Sequence, residues 1–186
     1  RCLERNYCVE FVEGGVGCGS VEHGVKQGEV VVCAGTGSRD IAKLVGDSLP
    51  VYPVKGYSIT VNNPGNGPWT SLLDDETKIV SSRLGENRFR AAGTAEFNGY
   101  NRDILQHRIQ PLVDWTEDLF PKMNTESVVP WAGLRPMTPN MMPIVKQSVK
   151  NPKVWYNTGH GHLGWTLSAY TGIDIANKIL ENSINE

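Results

Sequence analysis

The chain has 186 residues, of which 39% are hydrophobic and 20% charged, and its net charge is -2. That is the balance of an ordinary folded protein with a buried core, not of a disordered or collagenous one. The small net charge gives no footprint for nucleic acid, and no apolar run approaches the ~20 residues needed to cross a bilayer. The first residue is Arg1, and no basic start followed by an apolar stretch marks a signal peptide. An opening arginine followed at once by strand-like sequence reads as a piece of a longer protein.

Four cysteines stand at positions 2, 8, 18 and 33. None forms a closely spaced pair, so a metal site with His23 is disfavoured against four reduced, half-buried thiols. A reducing compartment follows from the same sparse usage.

Residues 7–12 alternate and are β-rich, and Gly14-Gly15 turns the chain after them. Residues 29–33 (Glu-Val-Val-Val-Cys) form a short apolar run that suits a buried strand. It ends in Ala34-Gly35-Thr36-Gly37, and a helix is expected from Ser38, as N-cap, to about Val45. Pro50 and Pro53 mark a crossing. Tyr57–Val61 reads as a strand, residues 62–68 as a dense turn, and Thr70–Leu73, Lys78–Arg83 and Arg88–Ala92 as a meander. A helix is expected within Asp103–Leu119, its face made by Leu105, Ile109, Leu112, Thr116 and Leu119, with Pro111 near its start. Trp131–Pro139 is extended and stiffened by proline. Lys153–Asn157 is a last strand, followed by a glycine-rich loop and a helix from Trp165 to about Leu180.

Three constellations could carry chemistry. An apolar strand running into Ala34 and Gly35 offers backbone free of Cβ at a strand's carboxyl end, where dinucleotides bind in α/β sheets. An ordinary tight turn would look the same. Arg135, between Gly133 and Pro136, presents a guanidinium in apolar surroundings, and a buried guanidinium needs an anion, which a substrate carboxylate can be. A surface ion pair is the plainer alternative. Thr158–Thr166 joins a strand to a glycine-lined helix start, whose free N–H groups and dipole attract negative charge such as the pyrimidine edge of a reduced flavin. His160 and His162, without a nearby carboxylate, make a poor zinc site, and polar loop residues are the simpler reading.

Together, Pro53-Val-Lys-Gly-Tyr-Ser-Ile-Thr-Val61, Gly133-Leu-Arg-Pro-Met-Thr-Pro139 and Asn157-Thr-Gly-His-Gly-His-Leu-Gly-Trp-Thr166 resemble the D-amino acid dehydrogenases, within the wider FAD-dependent D-amino acid oxidase and glycine oxidase superfamily. The three motifs stand in the family's order, and the resemblance runs from about Tyr7 to the end. It implies an α+β fold: an antiparallel or mixed β-sheet substrate domain with flanking helices, plus the C-terminal part of a Rossmann-like FAD-binding lobe. The GxGxxG segment that binds the ADP half of FAD is absent from this sequence. The resemblance assigns residues 1–49 to the later part of the flavin lobe, 50–130 to the substrate domain and 131–186 to the return to the flavin lobe.

The same resemblance implies site residues. Arg135 would bind the substrate carboxylate and His162 would touch substrate; apart from the resemblance, the mechanism has Tyr57 closing the pocket, although a strand tyrosine is more often plain packing. Ala34 and Gly35 would lie near the FAD pyrophosphate, and Gly159, His160, Gly161, Leu163, Gly164, Trp165 and Thr166 would contact the isoalloxazine. Asn140-Met-Met-Pro143 and His162 depart from the family pattern, which leaves the substrate side chain open. The implied activity is oxidation of a D-amino acid to a 2-oxo acid and ammonia by hydride transfer to FAD, with a quinone or another electron acceptor. The rival readings are a glycine, sarcosine or proline oxidase of the same superfamily, or a non-catalytic carboxylate-binding remnant. The expected location is cytoplasmic, or peripheral at the inner face of a membrane. The isolated chain is expected to bind FAD weakly or not at all.

Overall fold

The computed structural model describes residues 28–65 and 67–185. The expected strand at 7–12, the Gly14-Gly15 turn, Cys2, Cys8, Cys18 and His23 lie outside the described residues. Within them the fold is α+β and built on two sheets. A five-stranded antiparallel sheet has the order β3-β4-β5-β2-β6, from β2 (Tyr52–Asn62), β3 (Leu72–Leu73), β4 (Val80–Arg83), β5 (Arg88–Glu96) and β6 (Val128–Met137). A smaller mixed sheet has the order β1-β8-β7, from β1 (Val30–Val32), β7 (Ile144–Gln147) and β8 (Val154–Thr158). The helices are α1 (Ser38–Val45), α2 (Gln106–Leu119) and α3 (Gly164–Asn185).

The long central strand β2 organises the larger sheet. Its odd-numbered residues Tyr57, Ile59 and Val61 point to one face, where they meet Phe89 and Ala91 of β5 and Ile109, Leu112 and Trp115 of α2 in the main core. Period-two alternation on β2 and the three- and four-residue spacing on α2 produce that match. Leu119, expected on the same helical face, is instead 52% exposed. Helix α2 begins at Gln106, five residues before Pro111, so the missing proline N–H falls in the second turn.

Three prolines set the pairing of β2 with β6. Pro53 stands opposite Pro136, and Ile59 opposite Pro130. Residues directly opposite in an antiparallel pair either exchange two hydrogen bonds or none, alternating along the ladder. Two facing prolines can exchange none, and Pro130 falls in the same parity class. The register therefore places all three prolines where no donor is lost between β2 and β6. This is why β2 begins at Tyr52, across Pro53, and not at Tyr57 as the sequence pattern suggests. The extended Trp131 segment is likewise a sheet strand that starts at Val128 and runs across position 131.

In the smaller sheet β1 and β8 run parallel, with Val30 beside Val154 and Val32 beside Tyr156. Val32, Val154 and Tyr156 pack on Ala42 of α1 together with Leu49 and Val51. Helix α3 is tied to the same sheet: the Asn157 side chain donates to the Thr171 carbonyl at 3.3 Å, and Lys178 donates to Val145 O at 3.1 Å. The sequence pattern gave no strand at β7, which follows the Trp131–Pro139 segment. It also misjudged Ser38, which is not the N-cap of α1. Gly37 is the cap residue and ends a short 3-10 turn (Gly35–Gly37), and the buried Ser38 hydroxyl has no partner among the described residues.

A polar cluster closes the open end of the main core. A bulge in β5, with Thr94 at φ 55°, brings Glu96 beside Lys55 and Tyr57. The fully buried Lys55 ammonium contacts Glu96 at 2.9 Å and donates to Asn101 Oδ1 at 3.0 Å and Asp103 O at 2.9 Å. The Tyr57 hydroxyl donates to the other side of this pair, at 2.5 Å from Glu96 Oε2. The Tyr57 hydroxyl, then the Lys55 ammonium, hold the Glu96 carboxyl down at about 2. The folded value lies below the unfolded one of about 4.3, so the stabilisation is complete above that pH and is lost as pH falls toward 2. In Glu96→Gln, the fall in unfolding free energy between about pH 4.3 and 2 should be shallower than in the parent. Denaturant melts at several pH values measure this, and equal slopes would remove Glu96 from the acid response.

Candidate functional site

The face of the larger sheet opposite the core carries the even-numbered residues of β2 and the odd-numbered residues of β6. Gly56 pairs with Gly133, Val54 with Arg135 and Ser58 with Trp131. The two facing glycines leave a floor without side chains. A Cβ added at Gly56 would overlap the Arg135 guanidinium, and one at Gly133 would overlap the Trp131 indole. Arg135 and Trp131 therefore lie flat, side by side, on a strip of bare backbone. Glycine inside a strand often marks such a close approach.

Arg135 is half-buried and has no ion pair with any acid among the described residues. Burial, then the neighbouring Arg90 cation, pull its pKa below the ordinary arginine value. An arginine half removed from water, beside a like charge and without a carboxylate, is a site for an anion. This is the buried charge that the sequence pattern around Arg135 implies.

The glycine-rich loop meets the end of the same strand. Gly161 N donates to Pro136 O at 2.9 Å, and a Cβ on Gly161 would stand 2.7 Å from the sulfur of Met137, which shares the Arg135 face. Gly159 has φ 76° and Gly161 φ 56°, conformations that favour glycine. His160 turns inward: its Nε2 lies 3.0 Å from Thr171 Oγ1. The Thr171 hydroxyl also lies 3.1 Å from Leu167 O, and the His160–Thr171 hydrogen bond pins the loop to α3. Burial holds the His160 pKa below its usual value, which keeps the ring neutral in this role. His162 faces solvent.

Both strand ends expected to meet a cofactor lie together. Strands β1 and β8 are parallel neighbours, so the Ala34-Gly35 turn and the 159–161 loop leave the same edge of the sheet. The Thr158 hydroxyl donates to Gly35 O at 3.1 Å and ties the two. Gly35, at φ 55°, has open space where a Cβ would stand, so its backbone is accessible. Helix α3 starts at this edge. The N–H groups of Gly164, Trp165 and Thr166 are the unpaired first donors of the helix, and no acceptor among the described residues takes them. Leu163, Trp165 and Thr166 are exposed, Trp165 almost completely at 97%. An exposed, uncapped helix start beside an open glycine turn fits the anionic parts of a dinucleotide.

The structure thus brings Arg135 and the 159–166 segment to adjoining positions, with Ala34 and Gly35 beside the latter. Tyr57 lies elsewhere. It is on the core face of β2, 1% exposed, with its hydroxyl spent on Glu96, so it does not share the Arg135 face. Sequence reasoning missed Gly56, Trp131 and Arg90 as members of this face. The isolated glycine within the β2 pattern was the available signal. Among the described residues no group of acids, histidines and cysteines could hold a metal ion, Cys33 is unpaired and no helix is long and apolar enough to cross a membrane.

The profile of the FAD dependent oxidoreductase (DAO) family matches residues 1–178. The chain is 63% identical over 155 residues to D-amino acid dehydrogenase 3 of Mesorhizobium japonicum, covering 81% of this chain and 37% of that protein. It is 45% identical over 152 residues to the D-amino acid dehydrogenase of Dechloromonas aromatica, covering 80% of this chain and 36% of that one. The chain therefore spans a little over a third of the length of these curated relatives. Among solved structures, glycine oxidase from Geobacillus kaustophilus superposes with a TM-score of 0.73 at 26% identity, over 80% of this chain and 40% of that one.

A side chain at Gly161 would be strained in the left-handed backbone and would meet the Met137 sulfur there. Gly161→Ala should lower stability by about 1–3 kcal/mol, measured as a shift in the denaturant midpoint. An unchanged midpoint would show that the loop does not rest on β6 as described.

Proposed function

The chain belongs to the FAD dependent oxidoreductase (DAO) family, and from that premise we propose that it forms the substrate-binding and flavin-contacting part of a D-amino acid dehydrogenase. The observation that carries this reading is the Arg135 guanidinium, unpaired and half-buried on the Gly56–Gly133 floor, on a strand whose end is hydrogen-bonded to the glycine-rich loop. The identity to the two D-amino acid dehydrogenases supports the substrate class.

The open Gly35 turn and the first N–H groups of α3 fit FAD, and Ala34, Gly35 and Gly159–Thr166 are the residues that would hold it. FAD supplies the two-electron acceptor that takes the hydride from the amine-bearing carbon. Arg135 binds the substrate carboxylate through its paired donors and so fixes the position of that carbon. The bare floor lets the Arg135 guanidinium rest directly against the β2 backbone. Arg90 and Arg135 bring cations to this face, and among the described residues its strand positions carry no carboxylate. Their field disfavours an ammonium and favours the neutral amine, whose lone pair the reaction needs. A side-chain general base is then not required. Loss of hydride from the carbon and a proton from nitrogen yields the imino acid, which water converts to the 2-oxo acid and ammonia.

The glycine oxidase likeness favours a second reading, in which molecular oxygen reoxidises the flavin. The FAD-loaded, full-length polypeptide carrying this sequence separates the two. D-alanine should be oxidised with an artificial electron acceptor and with little peroxide; stoichiometric peroxide would transfer the protein to the oxidase reading. In the same preparation, Arg135→Met should lower kcat/KM for D-alanine by about 100- to 1,000-fold, on the order of 3–4 kcal/mol. Near-parental turnover by that variant would take the carboxylate away from Arg135.

A further inference from the structure

We propose that Arg90 is a positioning residue for carboxylate recognition, acting through the Trp131 indole on the Arg135 guanidinium. The inference rests on the reading of Arg135 as the carboxylate site. Arg90 lies on β5 and Trp131 and Arg135 on β6, with β2 between them. Arg90 pairs with Thr60, and Trp131 with Ser58, so their side chains rise from the same sheet face, two residues apart along β2. The Arg90 guanidinium stands 5.3 Å from the centre of the Trp131 ring. Trp131 in turn leans along β6 until it covers Gly133, and Arg135 leans along β2 until it covers Gly56, the residue opposite Gly133. The three side chains thus share one face: the Arg90 cation over the indole, and the Arg135 guanidinium beside it over the facing glycine.

Among the described residues Trp131 rests on the Gly133 backbone and meets the Arg90 cation. It is 55% exposed, and no hydrogen bond of its ring nitrogen is formed with the described residues. The hollow beneath Arg90, about 320 Å³, is lined by Ser58, Thr60, Pro130 and Trp131 and contains no carboxylate. Arg90 therefore has the indole face as its partner, and no ion pair with the described acids competes for it. A guanidinium over an indole is attracted to the ring quadrupole. A released indole could lift off the Gly133 backbone and leave one flank of Arg135 open. A carboxylate would then have to order the guanidinium at its own cost in affinity.

The test uses the FAD-loaded, full-length protein and its Arg90→Met, Arg90→Lys, Trp131→Leu and Arg90→Met/Trp131→Leu variants. The readouts are KM and kcat for D-alanine and for D-glutamate, and the Kd of acetate from the flavin absorbance change. Arg90→Met should raise KM for both substrates and the acetate Kd by about tenfold, with kcat within about twofold of the parent. Arg90→Lys should recover most of that affinity, because an ammonium also sits on an indole face. In the Trp131→Leu background, Arg90→Met should add no further loss, as expected for two residues acting in series. Additive losses in the double variant would overturn the proposal. So would a loss confined to D-glutamate, which would mean that Arg90 touches the substrate side chain directly. Should Arg90→Met fail to load FAD, Arg90→Lys against Trp131→Leu carries the same comparison, and equal acetate Kd values in all loaded variants would overturn it too. An Arg135→Lys control distinguishes the two failures: if it leaves the acetate Kd unchanged, the carboxylate reading itself falls, whereas a large rise with no effect at Arg90 removes only the positioning role.

Discussion

The close approach of the Arg135 side chain to the backbone of Gly56 is the contact on which the site depends. It exists because two glycines, Gly56 and Gly133, face each other across the β2–β6 ladder. That pairing is itself set by the prolines of both strands, which tolerate only one parity of hydrogen bonding. A one-residue slip would turn Arg135 and Trp131 toward α2 and put Tyr57, Ile59 and Val61 opposite the wrong partners. The core on one face and the cationic cluster on the other thus specify the same register, and each penalises the slip that would destroy the other.

The second half of the site is joined to the first by few but directional contacts. The Gly161 N–H reaches the outward carbonyl of Pro136, and His160 binds the hydroxyl of Thr171 on α3. The loop between the two sheets is therefore held at both ends, by β6 and by the helix it starts. Glycine at 159 and 161 is needed for backbone conformation and for the lack of space beside Thr138 and Met137. Both demands arise from packing, and they also leave the start of α3 uncapped.

Much of this was legible in the residues. The buried strand at Val30–Val32, the meander and the last strand and helix follow from apolar periodicity and turn chemistry. Arg135 stood out because a charge among Trp131, Leu134 and Met137 needs an anion. What the pattern could not supply was the side of a strand on which a residue falls once the pairing is known. Tyr57 was expected to close the pocket, with packing as the plainer reading, and period-two alternation sends it to the core face, where it binds Glu96. Arg90 looked like one basic residue in a meander, and only the register beside Thr60 and the lean of Trp131 bring the two together. Ser38 had the right chemistry for a cap, but the 3-10 turn before it rotates the helix start by one position.

The proline parity also bears on how the molecule behaves in company. Among the described residues β6 is the border strand of the larger sheet. Its even-numbered residues turn their peptide groups outward, as the Pro136 carbonyl shows by accepting from Gly161. Pro130 and Pro136 occupy two of those outward positions and carry no N–H. A neighbouring chain seeking to extend the sheet by edge-to-edge addition would find gaps in the row of donors, so the residues that fix the register also guard this border against aggregation.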